Sequence, residues 1–275
     1  MTSAAALSHS EIKTMLSESV ISAQMTPRLE DYVRAQVSAV ASTLVASESP
    51  DVQYCFDANR TLIKLYQFFP NLEGGETGIT LTALTAFLAM LRFPDTDFMA
   101  LMCLIPERVQ SMEPCATLVH CAELLEACQF VEFWPEFRKL GIPEYGAREG
   151  ETVVSSDRKL LSNAVNGSSA SNQIRSNIIQ MLARTYRSAP LSKVLAALDL
   201  TDAESLHKFA STVMVSAEGA SGSENERSVV EKIEADSVTF AASADNTKRV
   251  GSAYKEGVSY GDVAAMIAKS ALRSQ

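Results

Sequence analysis

Residues 79–91, ITLTALTAFLAML, carry no charge. A helix that is apolar all round persists in water only when other elements cover every side of it. This stretch is too short for a bilayer's hydrocarbon core, and Thr80, Thr82 and Thr85 interrupt it, so it is not a membrane span. It is the expected centre of a helical packing unit, and the rest of the sequence has to supply the shell.

The flanking sequence reads as that shell. Ser8 and Glu11 have capping-box spacing, and Ile12, Met15, Leu16 and Val20 follow as one stripe. Thr26-Pro27 starts a helix with proline at its first position, and Leu29, Val33, Val37, Val40 and Leu44 hold its face to about residue 47. A helix is predicted over 57–69 with Leu62, Leu65, Tyr66 and Phe69, stopped by Pro70; Glu73-Gly74-Gly75 reads as a loop. Asp95 is the expected cap of a helix over 96–104. Pro114 opens another, with Leu118, Cys121, Leu125 and Cys128 on one face, and 130–140 contains Trp134, the sole tryptophan. Short connections between helices of this length suggest stacked antiparallel pairs, a helical-repeat solenoid over 1–140.

Residues 141–171 change character, with Gly141, Pro143, Gly146, Gly150 and Asn166-Gly167, and read as a linker with one short helix over 157–165. Beyond it, Ile174, Ile178, Leu182 and Tyr186 mark a helix over 172–186, and 190–198 is a shorter one. Thr201-Asp202-Ala203-Glu204 has the form of a capping box before Leu206, Phe209, Ala210 and Val213. Residues 212–217 alternate like a strand, and 229–233 form a second across a Gly/Ser/Glu turn. Three helices and a terminal hairpin make a winged helix over 172–243. The tail, 244–275, is flexible over 245–257 and ends in an amphipathic helix over 259–272.

Charge and chemistry narrow the function classes. A net charge of −9 gives no global attraction for nucleic acid or anionic lipid. The N-terminus lacks the basic and apolar regions of a signal peptide, and five cysteines in mostly apolar helical sequence read as reduced, buried thiols. Cys115, Cys121 and Cys128 lack zinc-ligand spacing, and His9, His120 and His207 sit beside no nucleophile motif. No catalytic, metal or cofactor-binding residues are expected. The third winged-helix helix sets Asp202 and Glu204 against His207 and Lys208, a poor reading head for DNA. Arg175, Arg184, Arg187 and Lys193 read as a solvated face.

Particular segments carry a family resemblance. DANRTLIKLYQF over 57–68, PDTDF over 94–98, ELLEACQF over 123–130 and Phe133-Trp134 are similar to subunit k of eukaryotic translation initiation factor 3. Thr185-Tyr186, Leu195-Ala196 and Val230-Glu231-Lys232-Ile233 through Asp236-Ser237-Val238 match the same family. The resemblance runs from about Leu29 to Phe240. It implies a HEAT-like helical domain followed by a winged helix, the PCI-type pairing, in a non-catalytic cytoplasmic scaffold subunit. The implied partners are the factor's other subunits, especially subunit l, and the small ribosomal subunit through the complex, without direct DNA or membrane contact. The alternative identity is a small PCI-type subunit of the proteasome lid or signalosome. Relative to the family pattern, the 141–171 linker is longer, the segment before the hairpin is shorter, and the tail beyond Phe240 is an extension. Two partner-binding surfaces are expected: a hairpin edge anchored by Val229, Val230 and Ile233, and the tail helix with Tyr260, Val263 and Ile267. Trp134 and Phe130 are expected to pack the helical domain onto the winged helix or its linker.

Overall fold

The computed structural model describes residues 8–18, 22–42, 52–69, 71, 76–145, 155–216, 226–243, 245–247 and 260–272. The N-terminal part runs through α1 (His9–Glu18), a 3-10 turn (Ala23–Met25), α2 (Thr26–Ala41), α3 (Phe56–Phe68) and α4 (Glu76–Met90). It continues through α5 (Asp97–Met102), α6 (Glu107–Gln110), α7 (Cys115–Glu126) and α8 (Phe130–Lys139). Then come α9 (Ser156–Asn166) and α10 (Ser168–Thr185).

Every residue from 78 to 91 is buried, as the charge-free stretch demanded, and α2, α3, α5, α7 and α9 cover α4. Its threonines are accommodated locally: Thr82 Oγ1–H donates to Gly78 O at 2.8 Å and Thr85 Oγ1–H to Leu81 O at 2.8 Å, so neither hydroxyl is orphaned in the core. Each fully buried large side chain here, such as Leu81, Leu84 or Phe87, contributes about 1.5–3 kcal/mol. At the outer end, the Ser8 N–H donates to Glu11 Oε2 at 2.8 Å and the Glu11 N–H to Ser8 Oγ at 3.3 Å, the reciprocal pair of a capping box.

Helix α9 lies within the expected linker, yet it is packed on α2 and α4. Arg34 donates from Nε and Nη2 to the two carboxylate oxygens of Asp157, at 2.9 and 3.1 Å, a fork that pins α9 to α2. The Gly141 carbonyl accepts from Ser162 Oγ at 2.7 Å and Asn166 Nδ2 at 2.8 Å. A side chain at Gly141 would meet the Asn166 amide oxygen and push that amide away from the Gly141 carbonyl, so glycine preserves the bond. Only Gly167, with extended backbone, separates α9 from α10, which begins at Ser168 rather than at the expected 172.

The C-terminal part continues with β1 (Ser188–Pro190), α11 (Leu191–Leu198), α12 (Ala203–Ala210), β2 (Met214–Ser216) and β3 (Glu226–Ser228). It closes with β4 (Val230–Ile233), β5 (Ser237–Phe240) and α13 (Tyr260–Leu272). Strands β1, β5 and β4 form an antiparallel sheet in that order, and β2 pairs with β3. This corrects the expected hairpin of 212–217 against 229–233. Met214 lies opposite Ser228, while β4 turns to β5, with Val230 opposite Phe240 and Lys232 opposite Thr239. The switch happens at Val229, whose N–H donates to Val213 O at 3.3 Å and whose carbonyl accepts from the Ala241 N–H at 2.9 Å. Glu231 is left without a register partner, an irregularity that bends the strand.

Smaller expectations change as well. Asp95 does not cap α5; it pairs with Arg92 at 3.2 Å, and Thr96 takes the cap position without a side-chain bond. Asp202, not Thr201, caps α12, accepting from the Ser205 N–H at 2.7 Å. Cys128 has left the face of α7: it sits at φ 57° past the helix end and is exposed, as is Cys103. Phe69 is exposed rather than buried. Val20, Leu44, Pro70, Glu73 to Gly75, Gly146, Gly150 and most of the flexible leash lie outside the described residues.

Candidate interaction surfaces

The junction between the helical shell and the sheet-bearing part is built around the last turn of α11. The final carbonyls of a helix lack intrahelical partners and carry the negative end of its dipole. Here they find donors from two other helices. Trp134 Nε1–H donates to Ala197 O at 2.9 Å, Arg175 Nε–H to Leu198 O at 2.8 Å, and Arg175 Nη2–H to Asp199 O at 3.3 Å. The Arg175 guanidinium also lies 5.1 Å from the Trp134 ring centroid, within cation–π range. Asp199, at φ 53°, turns its carboxylate toward Arg138 and, at 3.7 Å, toward Arg175. Trp134 packs edge-on against Phe133 and Phe137, and both Trp134 and Phe130 are buried. The expected contact of Trp134 with the C-terminal part is therefore present.

Arg175 was legible only as one more exposed cation. It follows Ile174, a core position, so it sits on the shoulder of the buried stripe, where a long side chain can bury its stem and place its head on a neighbouring helix. The other members of the expected solvated face differ among themselves: Arg187 pairs with Glu231 at 2.5 Å, while Arg184 and Lys193 are exposed.

At the sheet, β4 is an edge strand. Val229 and Val230 are turned into the chain's own core and Ile233 is half-buried, so the two valine side chains are not available to anchor a partner. What β4 presents outward is Glu231 and Lys232, the charged surface that typically blunts an edge. Helix α13 is the opposite case: Val263, Met266 and Ile267 are all exposed, at 42%, 76% and 63%. Ser259, and the side chains of Tyr260 and of the expected capping partner Asp262, fall outside what is described.

On α12, Lys208 and Glu204 form an exposed pair at 2.9 Å, and Asp202 is held below the usual carboxylate range by its hydrogen bonds from Ser205. Burial pushes the Cys121 thiol up to about 12, so it stays protonated and inert. Among the described residues, no cluster of three or more His, Cys, Asp or Glu has the arrangement of a metal site, and no helix is long and apolar enough to cross a membrane.

The structure thus defines a mainly helical protein with a small antiparallel sheet. Comparison with known proteins gives that class particular relatives. The chain is 31% identical over 116 residues to the eukaryotic translation initiation factor 3 subunit K of Anopheles gambiae, a match covering 42% of this chain and 50% of the relative. It is 31% identical over 123 residues to the subunit K of Dictyostelium discoideum, covering 45% and 43%, and 31% identical over 96 residues to that of Mus musculus, covering 35% and 42%. The chain spans about half, or less, of the length of these curated relatives. No family model matches it.

Proposed function

We propose that this chain is a non-catalytic scaffold subunit of a eukaryotic translation initiation factor 3 complex, working in the cytoplasm in assembly on the small ribosomal subunit. The observation that carries the reading is the repeated similarity, near 31% identity, to proteins named subunit K of that factor in insects, vertebrates and an amoeba. Its structural support is a buried, charge-free α4 inside a helical shell, joined to the order helix, strand, helix, helix and then four strands, with β2 paired to β3 and sheet order β1-β5-β4. We read these two parts as a HEAT-like domain and a winged helix, the PCI-type pairing. In this reading the direct neighbour is subunit l, and the ribosome is met through the complex. The acidic net charge and the carboxylates of Asp202 and Glu204 at the start of α12 favour protein over DNA as the partner.

Helix α13 is the assembly element in this reading. A lone helix of its length is marginal in water, and its exposed Val263, Met266 and Ile267 gain from a partner's apolar groove. The β4 edge is the weaker second contact, since Glu231 and Lys232 blunt it, and it acts through its backbone rather than Val229 and Val230. Affinity purification of the tagged chain from its own cells, read by mass spectrometry, tests the reading. The expected result is recovery of the other initiation factor 3 subunits, reduced by Met266→Asp without a change in the free chain's melting temperature. Recovery of proteasome lid or signalosome subunits instead overturns the identity.

A further inference from the structure

One cleft is not used by the junction or by either proposed assembly element. It lies between the turn after α4, from Arg92 to Asp95, and the outer face of α10, and encloses about 550 Å³, within the range of ligand-binding clefts. The α10 wall is a stripe at four- and three-residue spacing, Gln173, Asn177, Gln180 and Arg184, with Met181 and Thr185 beside it. We propose that this cleft binds a short, extended acidic peptide segment of a partner protein.

Charge complementarity commits the site to that occupant. Among the described residues, no carboxylate pairs with Arg184, although the chain as a whole is acidic by nine charges. Across the cleft, Arg92 is held 5.6 Å over the Tyr54 ring, and its ion pair with Asp95 at 3.2 Å has both side chains about half exposed. A pair that exposed is weak, so Arg92 can share its guanidinium with an incoming carboxylate. The cleft therefore holds two cations against one anion.

The amides between them suit a peptide backbone. Asn177 is committed, donating to Leu91 O at 3.0 Å. Gln173 and Gln180 are engaged only loosely, with Asn177 at 3.3 Å and Ser176 at 3.5 Å, and each retains donor and acceptor capacity. From Gln173 to Arg184 the helix rises about 16 Å, the length of about five residues of extended chain. A polynucleotide fits less well: a net surplus of one cation does not track a phosphate backbone.

The inference is independent of the initiation-factor reading, because its test uses the free full-length chain. Fluorescence anisotropy is read with a labelled peptide of alternating Glu and Ala, with a Gln–Ala peptide and an oligouridylate as comparison probes. The Glu–Ala peptide is expected to bind the wild-type chain and to lose affinity by about tenfold or more in Arg184→Glu, with less binding of the Gln–Ala peptide and weakening as salt rises. Lys193→Glu makes the same charge change outside the cleft and is expected to leave affinity within about twofold. Both positions are exposed, and unchanged melting temperatures establish that the variants fold. Absence of Glu–Ala binding at about millimolar chain, an equal loss in Lys193→Glu, or indifference to Arg184→Glu overturns the proposal. Tighter, Arg184-dependent binding of the oligouridylate overturns it in favour of a nucleic-acid site.

Discussion

Trp134 shows how much one side chain can hold. Its ring fills the space beside Phe133 and Phe137, and its N–H satisfies a carbonyl at the end of α11. Trp134→Ala removes both and is expected to cost about 3–5 kcal/mol, whereas Trp134→Phe keeps most of the apolar area and costs less, largely the unpaired Ala197 carbonyl at about 1–3 kcal/mol. Thermal melting of the two variants checks the order; an unchanged midpoint for the alanine variant defeats the assignment. Cys128 is the reverse case, a residue in a place that suits another. Its N–H donates to Leu125 O at 3.0 Å and the next N–H, of Gln129, to Leu124 O at 2.8 Å, the two bonds of a Schellman ending. The left-handed backbone this requires costs a residue with a side chain about 1–2 kcal/mol. Among the described residues, the exposed Cys128 thiol donates to the Met181 sulfur at 3.8 Å, which returns little. Cys128→Gly is therefore expected to raise stability by about 1 kcal/mol, visible in urea denaturation as a higher midpoint at unchanged slope. A lower midpoint sinks this account. The sequence pattern put Cys128 on the helix face because its seven-residue distance from Cys121 fits the period; period alone does not reveal where a helix stops.

At the scale of elements, what could be read ahead was what has a long period. Helices α2, α3, α4, α7 and α8 stand close to where their apolar spacing placed them, and α4 is central because a charge-free helix has no other place. The strands were harder. β1 has three residues and ends in proline, and β5 is four residues, Ser237 to Phe240, whose two buried members, Val238 and Phe240, give too short an alternation to stand out. The hairpin partner was therefore assigned to the wrong neighbour. Helix α9 was legible as a helix, but not its attachment, because the pairing of Asp157 with Arg34 spans 123 residues and no local pattern encodes it. That attachment makes a definite expectation. Asp157 is buried and accepts two guanidinium bonds; Asp157→Ala strands the Arg34 head at the α2–α9 contact and is expected to cost about 1–3 kcal/mol. Arg34 keeps Asp31 at 3.0 Å and Glu30 at 3.7 Å, which holds the loss to this range. Hydrogen exchange locates the effect: protection over 156–166 falls first if α9 is pinned by this fork, and a uniform loss across the chain argues against it.

For the whole molecule, the question is whether the helical shell and the sheet-bearing part unfold together. Three observations bear on it. Helices α9 and α10 are separated by Gly167 alone, so no slack chain lies between the two parts there. Asn177 on α10 donates to Leu91 O just past the central helix. Arg175 closes the end of α11 while lying over Trp134 of α8. Ties that rest on different elements make opening one part expose the other's buried surface, which is the condition for a single cooperative transition. The sole tryptophan sits at this junction, so intrinsic fluorescence reports its opening while far-UV circular dichroism reports helix content everywhere. In the wild-type chain the two signals are expected to share one midpoint. Arg175→Met keeps much of the stem volume but removes the donors to Leu198 and Asp199, the ion pair with Asp199 and the stack on Trp134. Loss of charged hydrogen bonds at a largely buried site costs about 1.5–3 kcal/mol, and that loss falls on the junction rather than on α4. The fluorescence midpoint of Arg175→Met is therefore expected to drop below its circular dichroism midpoint. If both signals stay together at the wild-type midpoint, α11 is held by its apolar packing alone and the Arg175 bonds carry no coupling between the two parts.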